Sequence, residues 1–150
     1  MNESNNYSED FFLLSLDMLC VLNPNQHFLK VNPRCVELVG WTENELLEKS
    51  FTAFVHPSDL KQTLEKTNSL SSGDQLTLSF ESRFLCKDGS YKWLSWNCSA
   101  KEDMLYLSAR DITELKQHQL EFEKLQSAGK IRFKTMPSQA TMLLGNSATV

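Results

Sequence analysis

Downstream of Gly73 the apolar residues change their period. Leu76, Leu78 and Phe80 alternate with Thr77, Ser79 and Glu81, the repeat of a strand with one face buried. Lys87-Asp88-Gly89-Ser90 follows, where Asp-Gly accepts the positive φ values of a tight hairpin, and Tyr91 to Ala100 returns. Lys101-Glu102-Asp103 turns the chain again before Met104 to Arg110. Three long strands in succession make an antiparallel meander, and its apolar face needs a second layer.

The preceding residues supply that layer. Ser8 to Leu16 carries Phe11, Phe12, Leu14 and Leu16 among polar neighbours and is expected to form a short lead-in helix. Met18 to Leu22 and His27 to Val31 flank Asn23-Pro24-Asn25-Gln26, so a hairpin is predicted there. Asn32-Pro33 is a helix start, with a capping side chain ahead of a residue that lacks an amide proton, and Gly40 ends that helix. Thr42 and Glu45 stand at capping-box spacing for the next one. Phe51, Phe54 and Val55 form a further apolar group, and His56-Pro57-Ser58-Asp59 opens a longer helix bearing Leu60 and Leu64, stopped at Ser71-Ser72-Gly73.

After the meander, Asp111 and Glu114 stand in capping-box relation at the head of an exit helix, along which Leu115, Phe122 and Leu125 take heptad-compatible positions. The fold class is therefore α+β, a five-stranded antiparallel sheet with helices on one face plus a lead-in and an exit helix. Residues 1–10 are read as a flexible start, 11–113 as the domain, 114–126 as a signalling or coiled-coil helix, and 127–150 as a mobile tail. Within that tail Ile131 to Phe133 alternates briefly like a strand.

Composition excludes several classes of function. The 150 residues suit one domain, and with 41% of them hydrophobic a packed core is expected. A formal net charge of -4 with no basic block argues against nucleic acid as a partner. Met1 to Asp10 has neither the basic residues nor the apolar run of a secretory signal, and no stretch approaches spanning length, so a soluble, cytoplasmic chain without membrane contact is expected. Cys20, Cys35, Cys86 and Cys98 are widely spaced, without a CxxC pair or a neighbouring histidine, and are read as reduced structural thiols, so no metal site is expected. No catalytic residue is assigned: the sequence holds no zinc-type HExxH and no glycine-rich phosphate loop.

The ordered set of motifs resembles the PAS family, in its bacterial subgroup with HPxD and DIT signatures, from about Phe11 to Lys116. The resemblance rests on Val31-Asn32-Pro33, Gly40-Trp41, Glu45-Leu46, His56-Pro57-Ser58-Asp59, Phe80-Glu81 with Arg83, Lys87-Asp88-Gly89, Trp93 and Asp111-Ile112-Thr113-Glu114. It implies a sensory domain whose pocket can hold a small-molecule ligand and which passes its state to an effector histidine kinase or cyclic-di-GMP cyclase, as in two-component systems. It also implies signalling through the two terminal helices. A homodimer is expected, with Phe11, Phe12 and Leu14 of the lead-in helix and Leu115, Phe122 and Leu125 of the exit helix as contacts. Asp111, Ile112 and Thr113 are the expected signal relay, since they stand where the last strand passes into the exit helix.

The alternative is a cofactor sensor holding haem, flavin or a metabolite. His56 is the histidine nearest the pocket-lining helix and hence the candidate haem ligand, although its place before Pro57 is that of a helix-start residue. Phe51 to Val55 lacks the cysteine that flavin-adduct relatives carry, and no tightly bound cofactor is expected. Trp93 and Trp96 must point to opposite faces of their strand, leaving the outward one as a candidate interface residue.

Overall fold

In the computed structural model, residues 6–71 and 76–129 are described. Five strands, β1 (Met18–Leu22), β2 (Phe28–Val31), β3 (Thr77–Leu85), β4 (Tyr91–Lys101) and β5 (Met104–Asp111), form one sheet in the order β2-β1-β5-β4-β3. Every neighbouring pair is antiparallel, so the closing strand β5 lies at the centre between the first hairpin and the meander. The expected α+β architecture is the one observed.

Helices α1 (Asn6–Leu14), α2 (Pro33–Val39), α3 (Glu43–Leu47), α4 (Pro57–Ser71) and α5 (Thr113–Ser127) complete it, with a 3-10 turn at Phe51–Phe54. Asn32 caps α2 by accepting the Cys35 amide, and Gly40 ends it at φ 84°, a left-handed conformation that favours glycine. Thr42 and Glu45 close the reciprocal capping box of α3. At the β3–β4 hairpin Gly89 takes φ 92°. Glu102 and Asp103 form the β4–β5 turn with both residues at positive φ, as a two-residue hairpin demands.

Four boundaries differ from expectation. Helix α1 begins at Asn6 and ends at Leu14, two residues early at each end, so its first residues fall in the stretch read as a flexible start. It stops because Phe12 and Leu16 give their carbonyls to the side chains of Asn32 and Arg34. Asp111 is the last residue of β5, paired with Leu94, and α5 opens at Thr113; the ladder runs on because the Ile112 amide still donates to the Trp93 carbonyl. Asp111 is thus a strand end that holds the first residue of the helix, not a cap in box relation to Glu114. At the far end Ser127 belongs to α5, while the proposed tail strand Ile131–Phe133 lies outside the described residues.

The chain divides after Thr113 into two units. In the first, one sheet face packs against the helices around Leu94, Trp96, Leu105, Leu107, Phe51, Phe54 and Phe84, all at least nine-tenths buried. In the second, the exposed face of α5 includes Leu115 and Leu120.

Candidate signal-relay site

Two of the three expected relay residues, Ile112 and Thr113, bond to one strand position, Trp93, and Asp111 is joined to it through Thr113. The Thr113 hydroxyl accepts from the Trp93 amide at 2.9 Å and donates to Asp111 Oδ1 at 2.6 Å, while the same carboxylate oxygen accepts the Thr113 amide at 2.9 Å. Ile112 donates its amide to the Trp93 carbonyl at 2.9 Å. The second carboxylate oxygen of Asp111 lies 3.9 Å from Lys92 Nζ, a loose ion pair. One residue of β4 therefore takes both backbone bonds of the strand-to-helix junction.

Trp93 is also reached from the other side. Arg83 stands directly opposite it in the β3–β4 register, with its guanidinium 4.8 Å from the indole centroid, a cation–π distance. Arg83 is in turn held by Asp59 in the first turn of α4: the carboxylate accepts the Arg83 amide at 2.8 Å, Nε at 2.9 Å and Nη2 at 2.9 Å. Hydrogen bonding to Arg83 holds the Asp59 carboxyl below its ordinary pKa and raises that of the guanidinium. The contacts Asp59, Arg83, Trp93 and Thr113 thus run unbroken from the head of α4 to the end of β5.

His56, the candidate haem ligand, sits at the head of α4. Its Nδ1 accepts the Ser58 amide at 3.0 Å, its own amide donates to the Arg83 carbonyl, and its ring packs 4.7 Å from that of Tyr91. This is the geometry of a helix start. Among the described residues no cluster of three metal-ligating side chains occurs.

Between sheet and helices the interior is aromatic. Phe28 meets Phe51 and Phe54 edge-on, Phe54 stacks on Phe84 at 5.1 Å, and Phe51 meets Trp96 at 5.1 Å and 89°. Trp96 faces inward, fully buried, and donates Nε1 to Ser82 Oγ at 3.1 Å, while Trp93 is half-buried on the opposite face. Two polar residues share another part of this interior, Gln26 donating Nε2 to Thr67 Oγ1 at 2.8 Å. All four cysteines are buried free thiols, and burial pushes Cys35 up to about 11 and Cys98 to about 12.

The expected dimer contacts of α1 are not equivalent. Phe11 and Leu14 are exposed and border a groove of about 800 Å³ with Tyr7 and Leu19, whereas Phe12 turns inward beneath Lys30, whose Nζ lies 4.7 Å from the ring centroid. On α5, Leu115, Phe122 and Leu125 are 64%, 39% and 40% exposed. Sequence reasoning read Asn32 only as a cap. In the fold it is fully buried and its carboxamide also donates to the Phe12 and Asp17 carbonyls, at 3.0 and 3.1 Å, and accepts the Leu19 amide at 3.0 Å. Its neighbour in the sequence, Pro33, signals the cap, but no local pattern signals the reach back to α1.

A family model described as the PAS fold matches residues 28–103. Among solved structures, a domain of a sensory box sensor histidine kinase/response regulator from Geobacter sulfurreducens is 17% identical, with a TM-score of 0.64 over 72% of this chain and 94% of that one. The PAS domain of an HTR-like protein from Haloarcula marismortui is 26% identical, with a TM-score of 0.61 over 75% of this chain and all of the other. The PAS domain of the Cronobacter turicensis quorum-sensing receptor RpfR, solved in complex with BDSF, is 16% identical, with a TM-score of 0.59 over 66% and 96%.

Proposed function

Because the chain belongs to the PAS-fold family, we propose that it serves as a sensory and dimerisation module of a bacterial signal-transduction protein, of the histidine kinase or cyclic-di-GMP enzyme type. The observation that carries this reading is the contact series from Asp59 through Arg83 and Trp93 to Thr113, which joins a helix of the sensory layer to the residue from which α5 starts. A change in α4 bears on the strand register that anchors Thr113, because a bidentate ion pair joins the two. The domain is a relay and not a catalyst. It works in the cytoplasm beside an effector kinase or cyclase, and Asp111, Ile112 and Thr113 hand the signal on. The described residues include no helix long and apolar enough to cross a membrane.

Phe11 and Leu14 on α1, and Leu115, Phe122 and Leu125 on α5, provide the contacts of a homodimer, since a monomer exposing these groups leaves apolar surface in water. A native mass spectrum of the purified chain tests this. A dimer is expected, and a monomer at micromolar concentration sinks the interface assignment. Joined to an output kinase, Asp111→Ala should uncouple activity from the sensory state, and unchanged coupling refutes the relay.

A second reading, a small-molecule sensor, is favoured by the RpfR relative, whose PAS domain was solved with BDSF bound. Extra mass retained on the native polypeptide, or colour if the cofactor is haem or flavin, would mark it. In that case the ligand would occupy the aromatic interior.

A further inference from the structure

Among the described residues Gln26 Oε1 is a buried side-chain acceptor without a hydrogen-bond partner. The residue is 8% exposed and its position is fixed by its backbone: at φ 65° it donates its amide to the Asn23 carbonyl at 2.8 Å and accepts the Phe51 amide at 2.7 Å. Its side chain is anchored as well, since Nε2 donates to Thr67 Oγ1 at 2.8 Å. The Thr67 hydroxyl has two carbonyl acceptors on its own helix, Thr63 at 3.1 Å and Leu64 at 3.3 Å, which leaves its oxygen to accept from Gln26. The carboxamide accordingly lies with nitrogen towards Thr67 and oxygen turned away.

Thr63 and Thr67 are themselves fully buried on α4, one helical turn apart, so buried polar side chains gather where Gln26 meets that helix. A buried acceptor left open forfeits its hydration without recompense, and native interiors fill such positions with a donor. The groups that frame the corner are neutral amides and hydroxyls, which suit a neutral donor; an ammonium there would be a buried charge without a counter-ion.

We propose that the Gln26–Thr67 corner is a site for one neutral hydroxyl group, which donates its proton to Gln26 Oε1. The hydroxyl comes either from an internal water or from the alcohol end of a small, largely apolar ligand whose body lies against the aromatic rings. The site deepens the sensor reading in the second case and is independent of it in the first.

The test is NMR on the full chain labelled with nitrogen-15. Cross-peaks from the Gln26 side-chain amide protons to a long-lived hydroxyl are recorded, first in buffer and then through titrations with 1-butanol and with 2-butanone, which has no proton to donate. A cross-peak at the water frequency that 1-butanol leaves untouched supports the site and assigns it to water. Saturable displacement of that peak by 1-butanol and not by 2-butanone supports the site and assigns it to a ligand alcohol. In that case Gln26→Met should weaken butanol binding about tenfold or more, and Thr67→Val, which frees the carboxamide to turn, should weaken it less. The absence of both a water cross-peak and a saturable alcohol response overturns the proposal. The sensor reading fails separately: a water-filled corner on a chain that retains no small molecule in the native mass spectrum leaves the site intact and removes the ligand.

Discussion

The carboxylate of Asp59 accepts three hydrogen bonds from Arg83 alone, from its amide, Nε and Nη2, all between 2.8 and 2.9 Å. Side chain and backbone are gripped together, so the pair fixes the first turn of α4 to one position along β3. Charge-assisted bonds of this bidentate form are stronger than neutral ones, and the Asp59 side chain is only 13% exposed. Asp59→Asn, which loses the charge and half of the acceptor capacity, should cost about 2 kcal/mol at neutral pH. The sign with pH follows from the lowered carboxyl pKa. Stabilisation is complete above the carboxylate range of the unfolded chain and is lost as pH falls through the lower folded value. Urea titrations should therefore show the gap between wild type and Asp59→Asn closing towards low pH, and a constant gap would mean that the ion pair is not its source.

Thr113 offers a sharper test of the junction, because its hydroxyl bridges Trp93 and Asp111. Thr113→Val keeps the shape and removes both bonds; a loss of about 1–2 kcal/mol is expected. Thr113→Ser restores the hydroxyl and should recover most of it. Hydrogen exchange at the Trp93 amide distinguishes a local role from a global one: it should quicken roughly tenfold in the valine variant while Trp96 and Leu107 stay protected.

Much of this architecture is legible in the sequence because its signals are local. Asn32-Pro33, Gly40 and the Thr42–Glu45 pair act within one helical turn, and each forms the predicted cap. The alternation from Leu76 onward likewise needs only the pleat. What the sequence conceals is the partner of each side chain across long separations. Asp59 and Arg83 are 24 residues apart, Gln26 and Thr67 are 41 apart, and only the folded chain joins them. The reading of Asp111 as a helix cap failed for a related reason: capping-box spacing is satisfied by residues whose backbone is still in a sheet ladder with Leu94.

The four thiols should behave as interior groups. Burial raises the pKa of each, to about 11 for Cys35 and about 12 for Cys98, so at neutral pH they stay protonated and poor nucleophiles. Iodoacetamide should modify all four together, at a rate that follows the unfolded fraction through a urea titration. Since the unfolded chain releases these protons more readily, stability should also fall as pH rises through the ordinary thiol range. One cysteine labelled ahead of the rest in the native state would contradict the shared burial.

The carboxamide of Asn32 serves two ends at once. Its oxygen accepts from Leu19 and Cys35, while its nitrogen donates to the carbonyls of Phe12 and Asp17. No residue of α1 is fully buried, and its ion pair, Glu9 with Lys30 at 3.4 Å, is solvent-exposed. Exposed pairs contribute little, so the buried amide carries a large share of what docks this helix. The two halves separate by substitution. Asn32→Asp keeps the acceptors and removes the donors; exchange of the α1 amides should rise roughly tenfold while those of Leu19 and Cys35 remain slow. Asn32→Ala removes both sets and should quicken all three regions, with a stability loss of about 2–4 kcal/mol. Equal effects of the two substitutions on α1, β1 and α2 would show that the core loosens as one piece. Selective release of α1 would show instead that a single buried nitrogen governs whether this helix, which carries the exposed Phe11 and Leu14, stays docked.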